Sequence, residues 1–174
     1  MKTAAKAFTV KTSSEQNFSQ RHFKVNVDAA INRDTYQGGL GVVIRDGEGN
    51  VVAAAIKQTI FNEDTALVEA AAVKLGIQVA IDTGLTPLII ETDCKDVVAL
   101  VLHKKSNQTE ICWIITDIQS EMQRGGNLFK IQQIPRENNV IAHNLAKMAV
   151  ASGDSCIWRD SFPPQVMSVI THLV

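Results

Sequence analysis

Three runs decide the fold: Phe23-Lys24-Val25-Asn26-Val27-Asp28-Ala29, Leu40-Gly41-Val42-Val43-Ile44-Arg45 and Val51-Val52-Ala53-Ala54-Ala55-Ile56-Lys57-Gln58. In the first, Phe23, Val25, Val27 and Ala29 alternate with Lys24, Asn26 and Asp28, the period of a strand with one apolar face. The second and third flank Asp46-Gly47-Glu48-Gly49-Asn50, a turn-rich loop, and read as a hairpin. Three consecutive strands with short links predict an antiparallel meander.

Downstream the pattern changes to helix and strand in alternation. Helices are expected over Leu67–Asp82, Lys95–Lys105, Thr109–Arg124 and Asn139–Ala151, the last stopped near Gly153. Strands are expected over Pro87–Asp93, nearly all apolar as befits two buried faces, and over Leu128–Ile134. A meander followed by this alternation predicts an α/β domain: a five-stranded mixed sheet, its first three strands antiparallel, with helices on both faces. The strand ending at Asp93 is expected to run parallel beside the first strand. Residues 1–22 read as a flexible basic tail, with a transit peptide as the alternative. The domain is expected over 23–152, and 153–174, with Pro163-Pro164, reads as a C-terminal tail that packs irregularly or as a short helix.

The 174 residues suit one domain with a proper core. Hydrophobic residues make up 45% and charged residues 20%, and no apolar run reaches the roughly 20 residues that span a bilayer, so no membrane association is expected. Cys94, Cys112 and Cys156 are scattered, without metal-ligand spacing, and read as reduced thiols of an intracellular protein. The net charge of −1 argues against tight nucleic-acid binding, which usually draws on a strongly basic surface. Gly38, Gly39 and Gly41 are followed by neither Gly-Lys-Ser/Thr nor a helix, so they serve a strand and its turns rather than a phosphate loop.

Three acids stand where chemistry could sit. At 100° per residue, Lys74, Gln78 and Asp82 form the polar stripe of their helix, and Glu69 lies roughly opposite it. An inward carboxylate is costly unless paired, protonated or metal-bound; the plain alternative is an exposed acid near the helix N-terminus, favoured by the macrodipole. Asp28 occupies the less apolar face of the first strand, a position that a solvated residue also suits. Asp93 ends a buried strand, where α/β sheets place their sites, but Asp is also a favoured helix N-cap. Were the three to converge, they would repel one another and call for a divalent cation, and an all-oxygen set points to Mg²⁺ or Mn²⁺.

Five motifs in order carry a resemblance. Lys24-Val25-Asn26-Val27-Asp28-Ala29-Ala30, Gly39-Leu40-Gly41-Val42-Val43-Ile44-Arg45-Asp46 with Gly49, Val68-Glu69-Ala70, Ile90-Glu91-Thr92-Asp93-Cys94, and Ile134-Pro135-Arg136-Glu137-Asn138-Asn139 with Ala142-His143-Asn144-Leu145-Ala146-Lys147 resemble the type 1 ribonuclease H family over about residues 23–151. Within that family the resemblance is to the plant, reverse-transcriptase-associated, retroelement-type branch. The resemblance implies the ribonuclease H fold and cleavage of the RNA strand of RNA–DNA hybrids. It implies a site of two Mg²⁺ or Mn²⁺ ions, with Asp28 bridging them, Glu69 and Asp93 completing the set and His143 touching the water-activating ion or helping product leave. It further implies substrate contacts from Ala29, Ala30, Thr65, Lys95, Arg136 and Asn139.

Two departures temper the likeness. His143 stands where the family has its fourth acid; it shares a polar helix side with Asn139 and Lys147, so a solvated histidine is the simpler reading. Imidazole suits Mn²⁺ better than Mg²⁺. The family's basic insertion is missing, since His103-Lys104-Lys105 runs through Ser106-Asn107-Gln108-Thr109 directly into the next helix, so weak affinity for the hybrid, or a grip supplied by another domain, is expected. The alternative is a catalytically degenerate domain serving as a nucleic-acid-binding or protein-interaction module. A related exonuclease branch fits poorly, because its first strand carries Asp-x-Glu where Asp28-Ala29-Ala30 stands here. A monomer is expected.

Overall fold

The computed structural model describes residues 22–103 and 110–171; the basic tail, and the segment where the family's basic insertion would stand, fall largely outside them. Six strands form one sheet: β1 (Phe23–Asn32), β2 (Gln37–Arg45), β3 (Val51–Ile60), β4 (Leu88–Thr92), β5 (Phe129–Gln133) and β6 (Cys156–Arg159), in the order β5-β4-β1-β2-β3-β6. The helices are α1 (Thr65–Asp82), α2 (Lys95–Leu102), α3 (Glu110–Gly125), α4 (Val140–Ser152) and α5 (Pro164–Thr171), with short 3-10 turns at Gly126–Leu128 and Arg136–Asn138.

The meander is as expected: β1 pairs antiparallel with β2, β2 with β3, and β4 lies parallel to β1. The expected five strands become six. Cys156–Arg159 adds antiparallel to Ala53–Ile56, so β3 is an inner strand rather than an edge. Beyond β6 the expected short helix is present: α5 buries Val166 against α4 and the sheet. Gly153, in the left-handed conformation, ends α4 by the glycine C-cap geometry and turns the chain back toward β3.

Strand alternation divides the core. Val25, Val27, Val42, Ile44, Ala53 and Ala55 face one side, where α1, α2 and α3 pack; Val43, Ala54 and Ile56 face the other, under α4 and α5. Two close approaches set the helices at their heights. A Cβ on Gly76 of α1 would stand 2.5 Å from Val27 Cγ1, and one on Gly41 would stand 2.2 Å from the carbonyl oxygen of Ala142 in α4. Gly41 is opposite Asp28 in the β1–β2 ladder. The glycines of β2 thus seat α4 directly on the sheet beside Asp28, a more specific role than serving strand and turns.

Candidate active site

The β1–β4 ladder ends with Asn26 opposite Glu91. Two residues further along each chain stand Asp28 and Asp93, so the parallel register brings both acids to the same end of adjacent strands. Asp28 is 4% exposed. Asp93 is half-buried and does not cap α2: the N-cap is Cys94, while Asp93 Oδ1 accepts from Asn139 Nδ2 at 3.3 Å. Glu69 enters from the first turns of α1, whose cap is Asp64, its side chain accepting from the Leu67 N–H at 3.1 Å. The carboxyl of Glu69 turns inward, with Oε2 buried and without a hydrogen-bond partner.

The charges of the three acids bear on one another. Burial, reinforced by the charges of Asp28 and Asp93, pushes Glu69 up to about 8; the Ala29 backbone N–H and the charge of Arg136 pull it back in part. Burial and then Asp93 raise Asp28 to about 6, opposed by its hydrogen bond with His143. His143 Nδ1 lies 2.7 Å from Asp28 Oδ2, so this histidine, 31% exposed, is not simply a solvated side chain: α4, seated on Gly41, holds it against the first acid. Burial also raises the thiol of neighbouring Cys94.

The other sequence candidates divide. Ala29 and Ala30, half-buried, continue β1 past Asp28; Thr65, Lys95 and Arg136 are exposed, the first two opening α1 and α2. Asn139 is 2% exposed. Although it is the N-cap of α4, its side chain makes no cap bond and points into the molecule, donating to Val27 O at 2.9 Å as well as to Asp93. Missed by sequence reasoning is the polar layer behind the acids, formed by Asn26, Arg45, Glu91 and Gln132. One signal was available: Glu91 is the only charged residue of the buried strand Leu88–Thr92.

The donor chemistry fits a divalent cation. It is all carboxylate oxygen apart from His143, two acids are raised by burial and then by one another's charge, and a buried oxygen of Glu69 lacks a partner. The side chains do not form a ready cage, however: among the described residues no three of His, Cys, Asp and Glu are gathered to hold an ion.

Compared with known proteins, residues 26–149 match the family model described as reverse transcriptase-like. The chain belongs to this reverse transcriptase-like family. Its fold is ribonuclease H-like. The ribonuclease H1 of the halophilic archaeon Halobacterium salinarum superposes with a TM-score of 0.68 at 19% identity, covering 75% of this chain and 98% of that one. LC11-RNase H1, isolated from compost and solved with an RNA/DNA hybrid, gives 0.67 at 17%, covering 75% and 98%. The foamy viral protease-reverse transcriptase with an RNA/DNA hybrid gives 0.61 at 16%, covering 86% of this chain and 22% of that one. At such identities the likeness is one of fold. No curated protein sequence matches the chain, and among the described residues of this family member no helix is long and apolar enough to cross a membrane.

Proposed function

We propose that this ribonuclease H-like domain hydrolyses the RNA strand of RNA–DNA hybrids, using divalent ions held by Asp28, Glu69 and Asp93. The observation that carries the reading is the inward Glu69 carboxyl, facing the charges of both aspartates and left with a buried oxygen unpaired. A fold that only needed packing there would be better served by an apolar side chain. A bound ion supplies charge neutralisation and a more acidic water. The chain's own residues do the rest. Asp28 and Glu69 give up the protons that burial favours, and His143 leaves Asp28 Oδ2 or shares it. Exposed Lys95 and Arg136 meet phosphates, while Thr65 and the Ala29-Ala30 backbone border the scissile strand. Recognition of the hybrid rests on groove shape and 2′-hydroxyls. The motif set supports the plant, retroelement-type branch. It acts as a monomer that binds hybrid weakly, in keeping with its net charge of −1.

A second reading, a non-catalytic nucleic-acid-binding or protein-interaction module, is favoured by one observation: His143 already occupies Asp28 Oδ2. Incubation of a labelled RNA–DNA hybrid with the wild type, Asp28→Asn and Glu69→Gln, each with Mg²⁺ and with Mn²⁺, separates the two. The hydrolase reading expects cleavage by the wild type alone. Hybrid binding without cleavage under either metal leaves the module.

A further inference from the structure

Behind the acids, a cavity of about 470 Å³ opens between β1, β4, β5 and the start of α4, with Lys24, Asn26, Arg45, Glu91, Gln132 and Asn139 in its walls. A line of hydrogen bonds runs through its polar groups from Arg45 to Asp93. Arg45 Nη2 donates to Asn26 Oδ1 at 2.7 Å. Asn26 Nδ2 donates to Asn139 Oδ1 at 3.3 Å. Asn139 Nδ2 donates to Asp93 Oδ1 at 3.3 Å and to Val27 O at 2.9 Å. We propose that Arg45 is a positioning residue for the site, orienting Asp93 through Asn26 and Asn139; the inference rests on the hydrolase reading above.

Donor and acceptor polarity gives the line its direction. An amide side chain can present either its oxygen or its NH₂, and the two orientations differ little in shape. A guanidinium only donates, and an ionised carboxylate only accepts. With a pure donor at one end and a pure acceptor at the other, both intervening amides have one consistent orientation, oxygen toward Arg45 and NH₂ toward Asp93. Asn26 and Asn139 are 1% and 2% exposed, so a reversed amide would leave buried groups unpaired, at a cost of about 1–3 kcal/mol each. Arg45 is itself held: its Nη2 lies 3.9 Å from Glu91 Oε2, and Glu91 Oε1 accepts from Gln132 at 2.8 Å and faces Lys24 Nζ at 3.9 Å. Asn139 joins α4 to the end of β4, which explains why this N-cap residue leaves its own helix uncapped.

The informative variant is Asn26→Asp. A carboxylate there keeps the acceptor for Arg45 and adds a charge pair, but offers no donor to Asn139. The Asn139 amide then has to turn its NH₂ toward residue 26 and its oxygen toward Asp93, and the line is inverted while the packing stays. Arg45→Met removes the donor that sets the direction, and Arg45→Lys restores a donor. The readouts are the ¹³C resonance of the Asp93 carboxyl and the side-chain NH₂ resonances of Asn139 in the metal-free protein, kcat and KM on a labelled hybrid, and the melting temperature. Asn26→Asp and Arg45→Met should shift both sets of resonances and lower kcat on the order of 10- to 100-fold, with KM changed less than about twofold and Asn26→Asp melting lower only by what the buried groups left unpaired explain. Arg45→Lys should recover most of kcat. If Asn26→Asp leaves the Asp93 and Asn139 resonances and kcat at wild-type values, Arg45 has no positioning role. If the resonances shift as expected but the wild type does not cleave, the relay stands and the hydrolase reading falls. If all variants lose kcat in proportion to melting temperature with unshifted resonances, the layer is merely structural and the positioning role is overturned.

Discussion

Glu69 and His143 show how differently two residues of one site register in a sequence. The helical angle of Glu69 opposite Lys74, Gln78 and Asp82 made its inward aim legible, because periodicity fixes direction. The contact of His143 with Asp28 has no local signal, because it depends on how closely α4 approaches β2; only the family resemblance put the two in one site. Glu69 also yields a pH test. A carboxyl raised from 4.5 to about 8 in the fold keeps a proton that the unfolded chain loses first. Stability from this group is therefore whole below about pH 4.5 and is lost as pH rises through about 8. Glu69→Gln, which cannot ionise, should melt several degrees above the wild type at pH 9 and close to it at pH 4.5; equal melting curves at both pH values would mean that the carboxyl ionises freely. Asp28, raised to about 6, should add a smaller loss centred lower. His143 gives a second test. Where three carboxylates face two divalent ions, imidazole in the fourth position should weaken Mg²⁺ more than Mn²⁺. Cleavage should be faster with Mn²⁺, and His143→Asp should raise the Mg²⁺-supported single-turnover rate. An unchanged Mg²⁺ rate in a well-cleaving protein would show that residue 143 is not at a ligand position.

Among the elements, those whose pattern is local were legible and those made by distant pairing were not. β1, β2, β3 and α1 each declare their period over nine residues or more. β6 has four residues, Cys156-Ile157-Trp158-Arg159, none of them fully buried, and exists because β3 offers an edge about a hundred residues earlier. No window of sequence contains that fact. The polar layer was hidden for a similar reason: Asn26, Arg45, Glu91 and Asn139 lie on four elements and meet only after the sheet is ordered. β2 and α4 show the reverse case, a sequence feature visible but underread. Gly39 and Gly41 are spaced so that both face α4, and a Cβ on either would come within 2.4 Å of its backbone carbonyls. Backbone cannot step aside as a side chain can. Gly41→Ala should therefore lift α4 from β2 and destabilise the domain by about 3 kcal/mol or more. Since α4 carries His143 and is entered through Asn139, cleavage should fall further than the loss of folded protein explains. Chemical denaturation and single-turnover rates below the melting transition measure the two separately, and a fully stable Gly41→Ala would refute the seating of α4 on this glycine.

For the whole molecule, the question is whether the domain ends at α4, as its hydrophobic pattern suggests, or needs residues 153–174 as well. The face of the sheet under α4 has a small core: Val43, Ala54, Ile56, Ala142, Leu145, Ala149 and Val166 are its buried members, with Trp158, Phe162, Val169 and Ile170 packed around them. The last five come from residues beyond 153. The same segment pairs Cys156–Arg159 with Ala53–Ile56 and, through Ser155 Oγ and the Asp154 carbonyl, accepts from the Gln58 N–H. Removal of 153–174 would bare one side of a small core, open an edge on an apolar strand and take away the layer against which α4 presses. Each fully buried apolar side chain contributes about 1.5–3 kcal/mol, against a total stability of roughly 5–15 kcal/mol for a domain, so the deletion should leave a chain that is marginal at about 37 °C. A bare β3 edge should also promote self-association. The milder variant Val166→Asp places a charge at a position 1% exposed while leaving β6 intact, and should lower stability by about 3 kcal/mol without opening the edge. Calorimetry and light scattering on the full chain, Val166→Asp and the chain ending at Ser152 therefore have an ordered outcome. Melting temperature should fall from the first to the third, and only the third should aggregate on mild warming. A chain ending at Ser152 that melts with the full chain and stays monodisperse would mean that 153–174 is the dispensable tail its Pro163-Pro164 and short runs suggest.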